Sequence, residues 1–200
     1  MDKLHSSSQI ISDEYREQQS ELHERALENG AIYGGAAKFY APLVAQVIER
    51  IEAQHVLDYG CGSTLQLPTA LKGLIKHRFT YQAYDPAVPK YASPPVPAEM
   101  VVCIDVLEHI EEDRIDAVLD HLEELTEAVG VFTVATGPAQ KVLSDGRNAH
   151  ILQRPPEWWL PRLMCRFDLQ TYQAMGPNAF YVIVYARSRV IEGTDGTKLT

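Results

Sequence analysis

No apolar run in this chain approaches the ~20 residues needed to cross a bilayer, so no transmembrane segment is expected. The first residues, MDKLHSSSQIISDEYREQQ, hold neither an apolar core segment nor a small-residue cleavage site, so no secretion signal is read there. Cysteine is scarce. Cys61, Cys103 and Cys165 lack the short paired spacings of a zinc site. Isolated thiols suit a reducing compartment, so a cytoplasmic location is expected. Cys103 and Cys165 are expected as small buried apolar residues. Positive charge is also short: 18 Lys and Arg stand against 27 Asp and Glu, a net charge of −9. Such a chain is repelled by phosphate backbones, which argues against nucleic acid as a partner. No internal repeat is visible.

What remains is ordinary globular composition, 46% hydrophobic and 22% charged over 200 residues, enough for one domain with a sizeable core. The charge is uneven. Acid concentrates in the N-terminal third and in residues 108–127, while residues 141–166 hold Lys141, Arg147, Arg154, Arg162 and Arg166. That stretch is either an anion-attracting surface or an ordinary solvated face.

The chain reads as alternating helices and strands. Residues 12–29 carry Tyr15, Leu22 and Leu27 near helical spacing, and Gly30 stops them. Gly34-Gly35 makes an elbow. A helix over 36–52 places Phe39, Leu43, Val47 and Ile51 on one stripe, with a kink or a later start at Pro42. Residues 55–63, HVLDYGCGS, combine a strand and a glycine turn, and a helix over 65–77 is expected next. Strands follow at 79–84, 100–104 and 131–136. The proline-rich residues 87–99 cannot be a regular helix. An acidic helix over 111–128 ends at Gly130, and Pro155-Pro156 opens another through 164. Strands 167–175 and 179–186, joined by Gly176-Pro177-Asn178, must be antiparallel. The pattern predicts an α/β fold with a mostly parallel sheet covered on both faces and a C-terminal antiparallel hairpin.

Three motifs fall in order on this frame: VLDYGCG at 56–62, YDP at 84–86 and VVCIDVLEHI at 101–110. With the final hairpin they resemble the class I S-adenosylmethionine (SAM)-dependent methyltransferases, in their small-molecule branch, and are similar to the ubiquinone-pathway O-methyltransferases. The competing dinucleotide fingerprint wants GxGxxG, whereas this chain has Gly60, Gly62 and then Leu65. The resemblance spans residues 36–186. It implies a Rossmann-like SAM-binding domain over 36–186, an N-terminal helical lid over 1–35 and a polar tail over 187–200. It further implies that Tyr59, Gly60, Cys61 and Gly62 pass along the methionine part of SAM. Asp58 would orient that loop or take the SAM ammonium through water. Asp85, next to Pro86, would accept the two ribose hydroxyls. Ile104, Asp105 and Val106 would border the adenine and sulfonium, and Tyr33 would reach over the cofactor from the lid. Two departures stand out. Thr64 replaces a frequent third glycine. The short stretch from Asp85 to Met100 has no room for the usual helix and third strand, so one edge strand is expected to be missing. The adenine reader is left open between Tyr91 and a backbone group.

Methyl transfer to a protonated nucleophile also needs a base. Of seven histidines, His5 and His23 lie in polar N-terminal sequence, His55 at the wrong strand end, and His77 and His121 on expected surfaces. His109 and His150 remain. Asp105, Glu108 and His109 sit together at a helix start, and His150 follows the next strand at the same sheet edge. Such carboxylates and imidazoles can hold a divalent metal, with Glu108, His109 and His150 as ligands. The arrangement resembles the metal site of RNA 3′-end 2′-O-methyltransferases and that of the ubiquinone-pathway enzymes. The same pattern also occurs without metal, with the histidine packed on the cofactor loop. Residues 144–150, SDGRNAH, form a polar loop in which Arg147 and Asn148, with Trp159 beyond, are candidate substrate contacts. The expected activity is SAM-dependent methylation of an O or N nucleophile on a small polar or anionic molecule. The alternatives are metal-assisted methylation of a nucleotide or RNA terminus, and a non-catalytic SAM-binding regulatory module. Monomer and homodimer are both open.

Overall fold

The structure is a computed structural model that describes residues 10–28 and 35–187. Its strands form one six-stranded sheet: β1 (His55–Tyr59), β2 (Thr80–Tyr84), β3 (Ala98–Ile104), β4 (Thr126–Ala135), β5 (Phe167–Ala174) and β6 (Ala179–Ala186). Their spatial order is β2-β1-β3-β4-β6-β5. β2, β1, β3 and β4 are parallel, and β6 pairs antiparallel with both β4 and β5. The expected mixed sheet is therefore present, with its antiparallel pair at the C-terminal end. β2 is an edge strand, and only a single 3₁₀ turn, Pro89–Tyr91, stands between it and β3. Pro86, Pro89, Pro94, Pro95 and Pro97 each remove a backbone donor there, which disfavours a further strand.

Among the described residues five helices flank the sheet: α1 (Asp13–Glu28), α2 (Ala36–Ile51), α3 (Gln66–Leu71), α4 (Ile115–Leu125) and α5 (Pro156–Arg166). β1 is buried on both faces, which splits its side chains between two cores. Val56 packs with α2 and α3, whereas Leu57 and Tyr59 pack with α1, α4 and α5. α1 and the two isoleucines before it dock on the second core through Ile10, Ile11, Tyr15 and Leu22.

Several local readings shift. α2 continues through Pro42, and its buried face is Ala37, Tyr40, Ala41, Val44, Ala45, Val47 and Ile48; of the expected stripe Val47 is buried and Leu43 and Ile51 pack against the same core, while Phe39 is 66% exposed. The small alanines let α2 approach the sheet closely. α3 stops at Leu71, where Lys72 turns extended and Gly73 adopts φ +80°. The acidic helix is shorter than expected and β4 longer. Thr126 Oγ1 donates to the Leu122 carbonyl and closes α4, and Thr126 then pairs with Ala98. Gly130, expected as a helix stop, lies inside β4 opposite Val101 and Val184. Cys103 is buried as expected, but Cys165 is exposed on α5. His121 is 2% exposed rather than on the surface, and its Nδ1 lies 3.1 Å from the Tyr59 hydroxyl. Tyr33 and Gly34 fall outside the described residues, as does the tail from 188 onward.

Candidate functional site

The parallel register puts the carboxyl ends of β1 and β2 side by side, with Tyr59 opposite Tyr84. Beyond that point the two chains lock together. The N–H groups of Gly60 and Cys61 donate to the Tyr84 carbonyl at 2.7 and 3.1 Å, and the Gly62 N–H donates to Asp85 Oδ2 at 3.0 Å. Asp85 Oδ1 accepts the Ala87 N–H at 3.0 Å. The turn needs its glycines. Gly60 has φ +81°, and a Cβ there would stand 2.3 Å from Val106 Cγ2. Thus β1, β2 and the segment after β3 converge on one point at the carboxyl edge of the sheet, the usual ligand position in open α/β sheets.

A cavity of about 420 Å³ opens there, a volume typical of small-molecule sites. Tyr59, Gly60, Cys61, Gly62, Asp85, Pro86, Ile104, Asp105 and Val106 all line it, and so do His109 and His150. The sequence reading placed every one of these at this edge. Asp58 is different. It sits buried behind the glycine turn and accepts a hydrogen bond from the Tyr81 hydroxyl, outside the cavity wall. Burial, opposed by that bond, pushes its carboxyl up to about 7. Burial also raises Asp85, although facing His23 and the two backbone N–H groups pull the other way. The Cys61 thiol is raised by burial and by the neighbouring Asp58 and Asp85 carboxylates, which leaves it unreactive.

Asp105 is held by β4. Thr133 Oγ1 donates to Asp105 Oδ1 at 2.6 Å and accepts the Asp105 N–H at 2.9 Å, which fixes Asp105 at φ +52°. Glu108 is fully buried in the next 3₁₀ turn. Its Oε1 accepts the Ala135 N–H at 3.0 Å, while Oε2 meets no hydrogen-bond donor of the protein. Burial, with Asp105 nearby, raises it well above the usual carboxylate range. His109 Nδ1 lies 2.7 Å from the Ala149 carbonyl and His150 Nδ1 2.7 Å from the Gly137 carbonyl. A carbonyl only accepts, so each Nδ1 carries a proton, and in the neutral form of either ring the lone pair lies on Nε2. The rings meet edge to face at 4.8 Å. Burial, and then His150, depress His109 to about 4, so it is neutral at physiological pH. Glu108, His109 and His150 each offer a ligand atom within 4.8 Å of the others.

Other expected contacts lie elsewhere. Trp159 is fully buried in the core, donates from its indole to the Arg154 carbonyl at 3.0 Å and lines no part of the cavity. Of the tryptophan pair it is the core member, because Trp158 faces outward under the Arg162 guanidinium, 3.7 Å from the ring centre. Arg147 and Asn148 also stand off the cavity wall. Arg147 pairs with Asp145 and reaches Gln18, and Asn148 pins Ala139 through both its N–H and its carbonyl. These two residues hold the loop that presents His150 rather than lining the cavity.

The N-terminal segment is expected over the cofactor as a lid, but of its residues the sequence reading singled out only Tyr33 as a contact. Ile10, Ile11, Tyr15, Gln19 and His23 line the cavity, and Lys141 does so from the loop. Tyr15, Gln19 and His23 recur at four-residue spacing, a legible stripe, but polar residues on a polar helix read as solvated.

A scan of the sequence against protein-family models finds no match, and a search of curated proteins finds none either. Solved structures do match in fold. The Burkholderia thailandensis 1,6-didemethyltoxoflavin-N1-methyltransferase, with 1,6-didemethyltoxoflavin and S-adenosylhomocysteine bound, superposes with a TM-score of 0.62 at 15% identity, over 88% of this chain and 90% of that one. Magnesium protoporphyrin IX methyltransferase from Synechocystis PCC 6803, with bound SAM, gives 0.56 at 13% identity over 94% and 100%. Mitomycin 7-O-methyltransferase gives 0.61 at 14% identity over 86% of this chain and 60% of its own. The chain therefore has the class I methyltransferase fold.

Proposed function

We propose that the protein is a SAM-dependent methyltransferase acting on an O or N nucleophile of a small molecule. The observation that carries this reading is the convergence of the Gly60–Gly62 turn, Asp85 and Asp105 on one cavity at the carboxyl edge of a class I sheet. The residues fit the cofactor: the turn has no side chains to block a close ligand, and Asp85 has a carboxylate fixed by two N–H groups and facing the cavity. Similar folds crystallised with SAM or S-adenosylhomocysteine support the same assignment. When bound, SAM supplies an electrophilic methyl carbon on a sulfonium. The protein aligns the acceptor, keeps water out and takes up a proton. Ile10, Ile11, Val106 and Ile110 provide the dry wall. The Nε2 lone pairs of His109 and His150 are the available bases, each aimed by the carbonyl that holds Nδ1. His109 stays neutral down to about pH 4 and so keeps its lone pair. Three unpaired cysteines among the described residues agree with a reducing, cytoplasmic setting. Mass spectrometry of a cell extract incubated with the protein and methyl-labelled SAM should reveal a labelled small molecule. A protein that binds SAM but labels nothing would instead be a regulatory module.

A second reading, metal-assisted methylation of a nucleotide or RNA terminus, is favoured by one observation. Glu108 Oε2 has no protein donor, and it shares its neighbourhood with two imidazoles whose second nitrogens are oriented by carbonyls, as metal-bound histidines usually are. Two imidazole nitrogens and one carboxylate suit a divalent first-row ion, which would orient and acidify an acceptor hydroxyl. Titration with Mn²⁺ followed by calorimetry tests it: saturable binding that Glu108→Gln abolishes supports the metal, and no saturable binding removes this reading.

A further inference from the structure

α1 carries an anomaly. A helix that merely docked on the core would bury apolar residues along its inner face. α1 and the two isoleucines before it dock through Ile10, Ile11 and Leu22, yet α1 also buries Tyr15, Gln19 and His23, one above the other at four-residue intervals. Burying three polar side chains costs free energy unless each meets a polar partner. Two of them satisfy each other, since Gln19 Nε2 donates to the Tyr15 hydroxyl at 2.6 Å. His23, only 6% exposed, faces the cavity. Across from it stands Asp85, on a different element, with Nε2 and Oδ2 4.0 Å apart. That separation is too long for a hydrogen bond and too short for empty space between two polar atoms. A single oxygen placed about 2.8 Å from each would bridge them at close to a right angle. Asp85 cannot move to close the gap, because Gly62 and Ala87 hold both its oxygens.

We propose that His23 and Asp85 together clamp one hydroxyl of the cofactor's ribose, the hydroxyl proton going to the Asp85 carboxylate and the hydroxyl oxygen accepting the His23 N–H. The inference rests on the SAM reading and extends it. It makes α1 part of the cofactor site, so that half the clamp arrives with the N-terminal helix. A hydroxyl has the one donor and the free lone pairs that the pair requires. A protonated amine or a methyl group does not.

The test is calorimetric and needs no turnover. Wild type, His23→Ala and His23→Gln are titrated with S-adenosylhomocysteine and with its 2′-deoxy and 3′-deoxy ribose analogues. The clamp predicts that His23→Ala binds S-adenosylhomocysteine about tenfold more weakly, about 1.4 kcal/mol. It also predicts that wild type loses affinity for one deoxy analogue, and that this penalty is smaller in His23→Ala, where only the hydroxyl bond to Asp85 remains to be lost. His23→Gln, which can still donate, should retain most of the affinity. Equal affinity of wild type and His23→Ala, or a deoxy penalty that persists undiminished in His23→Ala, overturns the clamp while leaving the SAM reading intact. No binding of S-adenosylhomocysteine by wild type overturns both. The wild-type deoxy series reads out independently of how well the variants fold: if neither analogue is penalised, no hydroxyl is clamped.

Discussion

At the residue scale the glycine turn and the acids behind it set the terms. Gly60 faces two penalties: its left-handed backbone and the Val106 methyl 2.3 Å from any added Cβ. Gly60→Ala should therefore weaken S-adenosylhomocysteine binding by more than tenfold. Adding Val106→Ala should recover part of the loss, because it relieves the clash and leaves the φ strain. Calorimetry on the two variants checks both halves. Asp58 gives a pH prediction. Its folded carboxyl titrates at about 7 against 3.8 when unfolded, so the fold favours the protonated form. Its contribution is fully present below the unfolded value and is lost as pH rises through about 7. Asp58→Asn lacks that loss. Relative to wild type, the variant should gain stability between pH 4 and 7, on the order of a few kcal/mol, and hold a constant difference above pH 7. Urea unfolding at pH 4, 5.5 and 8 without cofactor measures it, and a difference that is flat with pH would refute the assignment.

At the element scale the instructive case is β4. Its first three residues read as the end of an acidic helix, yet the strand begins at Thr126 because residues 98–104 of β3 supply a ladder for it. Gly130 belongs to that ladder. A Cβ at this position would meet the Phe132 ring at 2.5 Å and Val184 Cγ2 at 2.8 Å. Gly130→Ala should therefore cost about 1–3 kcal/mol in chemical unfolding, as overpacking of a filled core does. A glycine acting as a helix stop would owe its cost to a left-handed φ, whereas Gly130 owes it to these two contacts. This contrast shows what local sequence carries. Strand ends with Asp58, Asp85 and Asp105, the glycine turn and the last hairpin were legible because strands buried on both faces are continuous apolar runs closed by polar residues. His23, His121 and Trp159 were misplaced because their burial depends on which surface arrives from a distant part of the chain. His121 looked solvated on an acidic helix, but Tyr59 from β1 closes over it. His23 looked solvated on α1 until that helix docked against Asp85. The boundary between α4 and β4 failed for the same reason, a long-range pairing overriding local propensity.

At the scale of the whole molecule the cavity is assembled from both sides: the sheet edge below, and α1 with the loop of His150 above. α1 is tied at its start by Glu111, whose carboxylate accepts the Ser12 N–H at 2.8 Å and the Ser12 hydroxyl at 2.7 Å. It is tied in its middle by Gln18, which donates to Asp145 at 3.2 Å and accepts from Arg147 at 3.1 Å. A ligand held between the two sides stabilises the folded state by mass action, about 2.7 kcal/mol at a hundredfold excess over its dissociation constant. For a chain of this size each kcal/mol moves the midpoint by about 2–4 °C, so S-adenosylhomocysteine at that excess should raise Tm by roughly 5–10 °C. Glu111→Ala loosens one tie of α1 and leaves the sheet edge untouched. Without ligand its Tm should lie within about 2 °C of wild type, since a partly exposed contact contributes little. At the same ligand concentration its Tm rise should be smaller, because part of the binding energy is spent ordering α1. Equal rises in the two proteins would mean that the ligand is held by the sheet edge alone.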